Sequence, residues 1–415
     1  MMNIPASLAR DISPPRPLKR RRRSTTSSPV LTSSSIPDIA PTLAAVEAGK
    51  AKVDDHLSYF KSHLAKSYRP TPADVPRLSI SDFATLYRSN EHEHGKHFVI
   101  HQHNHPRAGV HYDLRLQFSK TSSMSFAVPK GLPGNPNSKS IRRMAVETRV
   151  HNYWNHLIES ASSKTGSLLI WDTGTYEVLP RKKDGRSWRG MPSPQTTDDE
   201  ETGSGSDDDD ETSRKPTRTT GNEEHESDKL VAAFQTRYIR LRLHGTRLPQ
   251  NYTIIMRLPI NEIIKRPTAR RKSRQKRLVH KIMPQSDSKA EDQAELQTFK
   301  PVPVTGEDID TDTDEDAQIR ATNAYPGSTN DIGSIHQRRW FMQLDRQNSG
   351  FVLDHTDAGK GKWVRGSDGS GFEPFLVRGR DHERSVVTGR LAQEVENDEG
   401  VHNFMGRAGW MGIEH

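Results

Sequence analysis

The chain contains no cysteine, so disulfides and thiolate metal sites are excluded and any metal is left to histidine, aspartate and glutamate. Apolar side chains are scarce too: hydrophobic residues make up 31% of the 415 and aromatic residues 7%, and the mean hydropathy is −0.85. With 27% charged residues and 26 prolines, much of the chain cannot bury enough surface to offset the entropy of ordering it. Length alone allows two or three domains, but this composition fits one ordered domain with long disordered tails and insertions. Nowhere are there the roughly 20 consecutive apolar residues of a membrane helix, nor an apolar signal core at the N-terminus, so no membrane partner is expected. An excess of one charge sign is nearly missing as well. The net +8 is the difference between 61 basic and 53 acidic residues, which favours an anionic partner but makes local distribution matter more than the sum.

What is present is concentrated in Phe98 to Gln117, FVIHQHNHPRAGVHYDLRLQ. Val110, Tyr112, Leu114 and Leu116 alternate with His111, Asp113, Arg115 and Gln117, the two-residue period of a strand with one apolar and one His-Asp-Arg face. Phe98 to His103 is a second β-rich run, and Asn104 to Gly109, with Pro106 and Gly109, reads as the turn of a hairpin. That hairpin brings His101, His103 and His105 toward His111 and Asp113. A single His-x-Asp pair on a strand is more often the solvated face of an edge strand. Here two imidazoles and a carboxylate converge from neighbouring strands, a set that suits a divalent transition metal with positions left open for water or substrate. Arg115, on the same face, adds a planar fork that keeps its charge and matches phosphate oxygens.

These residues, together with SFAVPKGLP at Ser125 to Pro133, RMAVETRVH at Arg143 to His151 and TGSLLIWDTGTYEV at Thr165 to Val178, resemble the 3′-phosphoesterase module of bacterial DNA ligase D and its stand-alone archaeal and fungal relatives. The resemblance implies a small β-barrel, a manganese ion held by two histidines and an aspartate, phosphate held by arginines and a further histidine, and removal of 3′-phosphates and terminal 3′-ribonucleotides from DNA ends in repair. Carried onto this chain, His111 and Asp113 match metal ligands, and Arg115, Arg143 and His151 match phosphate-contacting residues. The first metal histidine has two candidates. His103 matches by its place at the end of the strand, although seven residues separate it from His111 where the family usually has five; His105 keeps the usual spacing. Because Pro106 belongs in a turn and a turn absorbs extra residues more easily than a strand, His103 is preferred and His105 is the alternative. The family also has a tyrosine where this chain has Asn155, for which Tyr153 and Trp154 are the candidate replacements. Arg88, Glu91 and Glu93 are only loose counterparts of family residues upstream.

Around this unit the chain divides as follows. Residues 1–40 form a basic, Pro/Ser-rich disordered tail whose run Lys19 to Arg23 reads as a nuclear import signal or a nucleic-acid-binding tail. Residues 41–95 form a helical lead-in, with Val53, Leu57, Phe60 and Leu64 as one apolar stripe and a second short helix from Ser81. The β-barrel spans 96–264 and is interrupted by a disordered acidic insertion at 181–228, with Leu168 to Leu179 expected as a hairpin turning at Asp172 to Thr175. Residues 265–333 are expected as a disordered linker with a basic run, and 334–415 as an accessory segment with short strands at Arg339 to Leu344 and Phe351 to Leu353 and a helix near Ser385 to Val395. The fold class is mainly β, a small closed barrel with short flanking helices. Function on this reading is metal-dependent hydrolysis of 3′-phosphate, with manganese as cofactor, DNA 3′ ends as substrate, a separate ligase as partner, a monomeric state and a nuclear location. The alternative is a catalytically inactive DNA-end-binding or repair scaffold on the same fold.

Overall fold

The computed structural model describes residues 43, 46, 51–181, 224–259, 314–356, 361–402, 404, 406–407 and 409–413. The tail at 1–40, the body of the acidic insertion and the second basic run lie outside these residues.

Two helices lead in. α1 (His56–Lys66) starts where Asp55 caps the amide of Ser58 and buries Leu57, Phe60 and Leu64. α2 (Ile80–Ser89) opens on Ser79, whose side chain accepts from the Asp82 amide. Strands β1 (His97–His105), β2 (Gly109–Gln117), β3 (Ser122–Val128) and β4 (Arg142–Glu147) follow as a meander. After them come the short β5 (His151–Asn152), a 3-10 turn (Tyr153–Leu157), β6 (Ser160–Ser162) and the long β7 (Gly166–Val178). Helix α3 (Glu226–Gln235) precedes β8 (Tyr238–Gly245) and β9 (Thr253–Arg257). Beyond them lie α4 (Asp314–Thr322), β10 (Arg339–Leu344), a small hairpin of β11 (Phe351–Leu353) and β12 (Trp363–Arg365), and α5 (Ala392–Asp398).

Eight antiparallel strands close a barrel in the order β1-β2-β3-β4-β10-β9-β8-β7 and back to β1. Its interior follows from alternation: Tyr112, Leu114 and Leu116 on β2, Met124, Phe126 and Val128 on β3, and Trp340, Met342 and Leu344 on β10 are all buried in one core. Leu230 and Phe234 of α3 join that core, with Phe234 stacked on Trp340 at 5.3 Å. A second apolar cluster covers the outer side of β1 and β7, where α1, α2 and the 3-10 turn pack on Val99, Leu168 and Ile170 together with Val386 and Val387.

Several sequence-based boundaries move. Leu168 to Leu179 is not a hairpin: β7 runs unbroken through Asp172-Thr173-Gly174-Thr175. The Asp172 carboxylate accepts the amides of Thr246, Arg247 and Leu248 on the neighbouring strand's end as well as that of its own neighbour Thr173, and Gly174 is required because a Cβ there would lie 1.9 Å from the carbonyl oxygen of His244. The insertion is shorter than expected, since α3 begins at Glu226. Part of the expected linker is ordered, with α4 and the buried Ala324 and Ile332. The largest difference is β10. Arg339 to Leu344, placed by sequence in an accessory segment, pairs with β4 on one side and β9 on the other and completes the barrel wall. Its place is fixed by Glu147, fully buried, whose carboxylate accepts from Arg338 Nε at 2.6 Å and Nη2 at 3.0 Å, from Trp340 Nε1 at 2.9 Å and from the Ile335 amide at 2.8 Å.

Candidate metal centre

The site is built on the outer face of the β1–β2 hairpin. Register pairs His103 directly with His111 and His101 with Asp113, and directly opposed residues share a face. β1 continues to His105, so the turn is confined to Pro106, Arg107 and Ala108, with Gly109 in the left-handed region at φ 78°. This is tighter than the turn expected from Asn104 onward; the extra residues extend the ladder and leave His103 facing His111 with ring centroids 4.7 Å apart. His105 sits at the tip, where its Nδ1 accepts the amides of Arg107 at 3.2 Å and Ala108 at 3.0 Å. Its Nδ1 lone pair is committed to the turn, and burial beside His103 and His111 pushes its pKa down to about 4.

His103, His111 and Asp113 bring one ligand atom each to within 4.8 Å of one another. Their hydrogen bonds decide the tautomers. His103 Nε2 lies 2.8 Å from the Thr165 carbonyl oxygen and His111 Nδ1 lies 3.0 Å from that of Gly109, so each donates its proton to a carbonyl. The nitrogens left over, His103 Nδ1 and His111 Nε2, then point lone pairs at the Asp113 carboxylate, at 3.3 Å and 3.4 Å. Asp113 Oδ1 is buried with no hydrogen-bond donor. Burial pushes the Asp113 carboxyl upward, but a proton on the His111 or His103 imidazole, together with the Arg115 guanidinium, outweighs it and holds the carboxyl far below the usual range, so Asp113 is ionised wherever positive charge faces it. Burial lowers His111 toward the neutral form. Two lone pairs and an ionised carboxylate facing one another in a buried spot repel unless a cation lies between them. The donor set therefore fits a divalent metal ion.

Arg115 extends the same face. Its Nη2 is 3.9 Å from Asp113 Oδ2 and its Nη1 donates to the Asn155 carbonyl oxygen at 3.2 Å. Ser125 is the cross-strand partner of Arg115 and Ser123 that of His151; both hydroxyls, like the Asn155 side-chain oxygen, are buried without a hydrogen-bond partner. His151 donates Nδ1–H to the Arg149 carbonyl at 2.8 Å. Burial, reinforced by Arg115, holds its pKa well below the ordinary value, so in the free protein its Nε2 offers a lone pair and becomes a donor to phosphate only as the imidazolium. Arg143 is placed differently. It alternates inward with Ala145 and Glu147, pairs in register with the core residue Met342, and donates Nη1–H to the Ser140 carbonyl. That is the barrel-interior side of the sheet, opposite His111, Asp113 and Arg115.

The other sequence candidates are occupied elsewhere. The Tyr153 hydroxyl donates to the Tyr87 carbonyl at 2.9 Å, and Trp154 stacks on His56 at 4.8 Å, so neither reaches Arg115; Asn155 does, through its main chain. Lys130 donates to the Met411 carbonyl at 3.3 Å. Arg88, Glu91 and Glu93 are exposed around the end of α2. Three buried histidines went unassigned by sequence: His101, whose Nε2 is 3.1 Å from the Ile158 carbonyl, and His97 and His156, whose Nδ1 atoms lie 3.0 Å apart. His101 was legible from strand parity, whereas nothing local in the sequence points to His156.

The stretch that holds this cluster is similar in sequence to known proteins. Residues 101–256 match the family model described as the DNA Ligase D 3′-phosphoesterase domain. The multifunctional non-homologous end joining protein LigD of Mycolicibacterium smegmatis is 31% identical over 134 residues, 31% of this chain and 15% of that protein. The multifunctional non-homologous end joining DNA repair protein LigD of Mycobacterium tuberculosis is 30% identical over 132 residues, with the same coverage of 31% and 15%. The chain thus spans about 15% of the length of these relatives. Residues 101–256 of this protein thus carry the sequence pattern of the DNA ligase D 3′-phosphoesterase domain family, and the barrel built on them is completed by β10 beyond the matched stretch.

Proposed function

We propose that this protein is a metal-dependent phosphoesterase that removes 3′-phosphate, and terminal 3′-ribonucleotides, from DNA ends during repair, and hands the 3′-hydroxyl to a separate ligase. The observation that carries the proposal is the paired lone pairs of His103 and His111 converging on Asp113, with Arg115 beside them on one sheet face, inside the stretch that matches the family. His103, His111 and Asp113 would hold the ion, with manganese the proposed identity. A divalent cation held there would supply Lewis acidity for the hydrolysis.

The chain's own groups do the rest. The Asn155 carbonyl and Asp113 orient the Arg115 fork, which neutralises charge building on the phosphoryl oxygens. The hydroxyls of Ser123 and Ser125 lie along the next strand with donors to spare. His151, its Nδ1–H fixed on Arg149, presents Nε2 at the edge of this group. There it accepts a proton from an incoming phosphate monoanion or water and can return it to the leaving 3′-oxygen. Arg143 acts from the barrel interior, so its contribution is to the wall that carries the site. Monomeric action in the nucleus, with the import signal at Lys19 to Arg23, completes the proposal.

Release of inorganic phosphate from a primer ending in 3′-phosphate, in the presence of manganese and lost in Asp113→Ala, is the test. Manganese binding without any turnover would instead favour a non-catalytic DNA-end scaffold, a reading to which Asn155 in place of the family's tyrosine lends support.

A further inference from the structure

The wall that β10 completes carries a surface that the chemistry above does not use. Outward-facing residues there line up in register across four strands: Met144 on β4, Phe341 on β10, Arg257 on β9 and Tyr238 on β8 form one continuous row. The adjoining row is Arg142, Gln343, Ile255 and Arg240, and Arg339 lies on the other side opposite Val146. Phe341 is 42% exposed in the middle of this face, with the Arg142 guanidinium 5.7 Å from its centroid. Three guanidiniums surround the ring of Tyr238, those of Arg181 at 5.3 Å, Arg257 at 5.0 Å and Arg240 at 5.9 Å. Arg240 is paired with Asp345 at 3.0 Å, but among the described residues no carboxylate pairs with Arg142 or Arg257. Like charges gathered around one ring repel unless an anion joins them.

We propose that the outer face of β4, β10, β9 and β8 is a second nucleic-acid-binding surface, which holds single-stranded DNA by stacking bases on Phe341 and Tyr238 and setting phosphates against Arg142 and Arg257. A partner that supplied only negative charge would leave the aromatic rings unused. A strand of nucleic acid supplies both flat apolar faces and a regular run of anions, the combination on which sequence-independent single-strand binding rests. The two rings stand two strands apart, roughly 10 Å at the usual strand spacing, enough for successive or alternate bases. In the barrel order, β10 and β9 lie across from β1 and β2, so this strand is held on the wall opposite the metal cluster. The face holds DNA whether or not the metal site turns it over; only the choice of DNA as the strand rests on the function proposed above.

The test is fluorescence anisotropy of a labelled single-stranded DNA oligonucleotide with a plain 3′-hydroxyl, titrated with the full-length protein over a range of salt. Phe341→Ala should weaken binding by about 10-fold or more, as the loss of one stacked base does. Arg142→Ala/Arg257→Ala should lower the slope of log affinity against log salt by about 1.4, or 0.7 for each charge. Both variants should retain the wild-type circular dichroism spectrum, because the altered side chains are exposed. Excess EDTA should leave the affinity of the wild-type protein for the oligonucleotide unchanged, which separates this surface from the metal site. Unchanged affinity and slope in the first two variants would give the face to another occupant, a protein partner or the chain's own acidic stretch, and overturn the proposal. Loss of binding in EDTA would overturn it too, by placing the DNA at the metal cluster.

Discussion

Asp113→Asn keeps the shape of the carboxylate but removes its charge, and it gives a readout of the metal centre that does not depend on activity. In the metal-free wild-type protein the ionised Asp113 faces two imidazole lone pairs. An asparagine amide can turn its NH2 toward one of those lone pairs, so the variant without metal should unfold within about 1 kcal/mol of wild type, the scale of one exchanged hydrogen bond. Metal response is the opposite case. Manganese at about 100 times its dissociation constant stabilises a protein that binds it only when folded by about 2.7 kcal/mol. At about 2–4 °C per kcal/mol for a domain of this size class, that raises the wild-type melting temperature by roughly 5–11 °C, and that of Asp113→Asn by almost nothing. Arg115→Ala should retain the full manganese shift while losing turnover by roughly 10²-fold. The assay is differential scanning fluorimetry with and without manganese, using the six tryptophans. A full manganese shift in Asp113→Asn refutes the assignment. So does a loss of 3–5 kcal/mol in its metal-free form, the cost of breaking a buried ion pair, since the carboxylate would then be a partner of charged histidines.

His103→Ala should abolish the manganese-dependent rise in melting temperature while His105→Ala retains it, because only His103 turns a free lone pair toward Asp113; the reverse result would move the site to the hairpin tip. Glu147→Ala leaves Arg338, the Trp340 indole and the Ile335 amide without their buried acceptor, and urea unfolding should show a loss of about 3–5 kcal/mol, against little change for the exposed Arg142→Ala. Stability should also fall in acid. His97 is lowered to about 3 by burial and His101, His151 and His156 lie well below their ordinary value, so the unfolded chain takes up protons first. Their contribution is complete above about pH 6.5 and is lost as pH falls from there toward about 3, with about 3 kcal/mol lost at His97 alone by pH 4. Equal urea midpoints at pH 7 and pH 4 would contradict this.

The hairpin and its chemistry were legible because they are local: alternation puts His111, Asp113 and Arg115 on one face whatever the rest of the chain does. The choice between His103 and His105 was not, since both have the same strand parity, and it is decided by which nitrogen each spends on a carbonyl or a turn amide. Arg143 matched a family motif, yet its face is set by the register of β4 with β10, a pairing that local pattern does not carry. The Asp172 to Thr175 stretch has the composition of a turn, and it was overridden by contacts with residues 244–248. RWFMQL at 339–344 reads as a strand by alternation, but nothing in six residues names β4 and β9 as neighbours.

That last pairing has a consequence for how the chain reaches its native state. Until residue 344 has left the ribosome, the barrel is an open sheet whose β4 and β9 edges present unpaired amides and carbonyls. The long stretch between β9 and β10 must close as a loop before the final ladder repays its entropy, which makes this the slow, non-local step. During that interval the exposed edges are templates for any extended chain, including a second copy of β10 from a neighbouring molecule. Refolding at high protein concentration should therefore yield strand-exchanged dimers in which each β10 completes the other copy's wall.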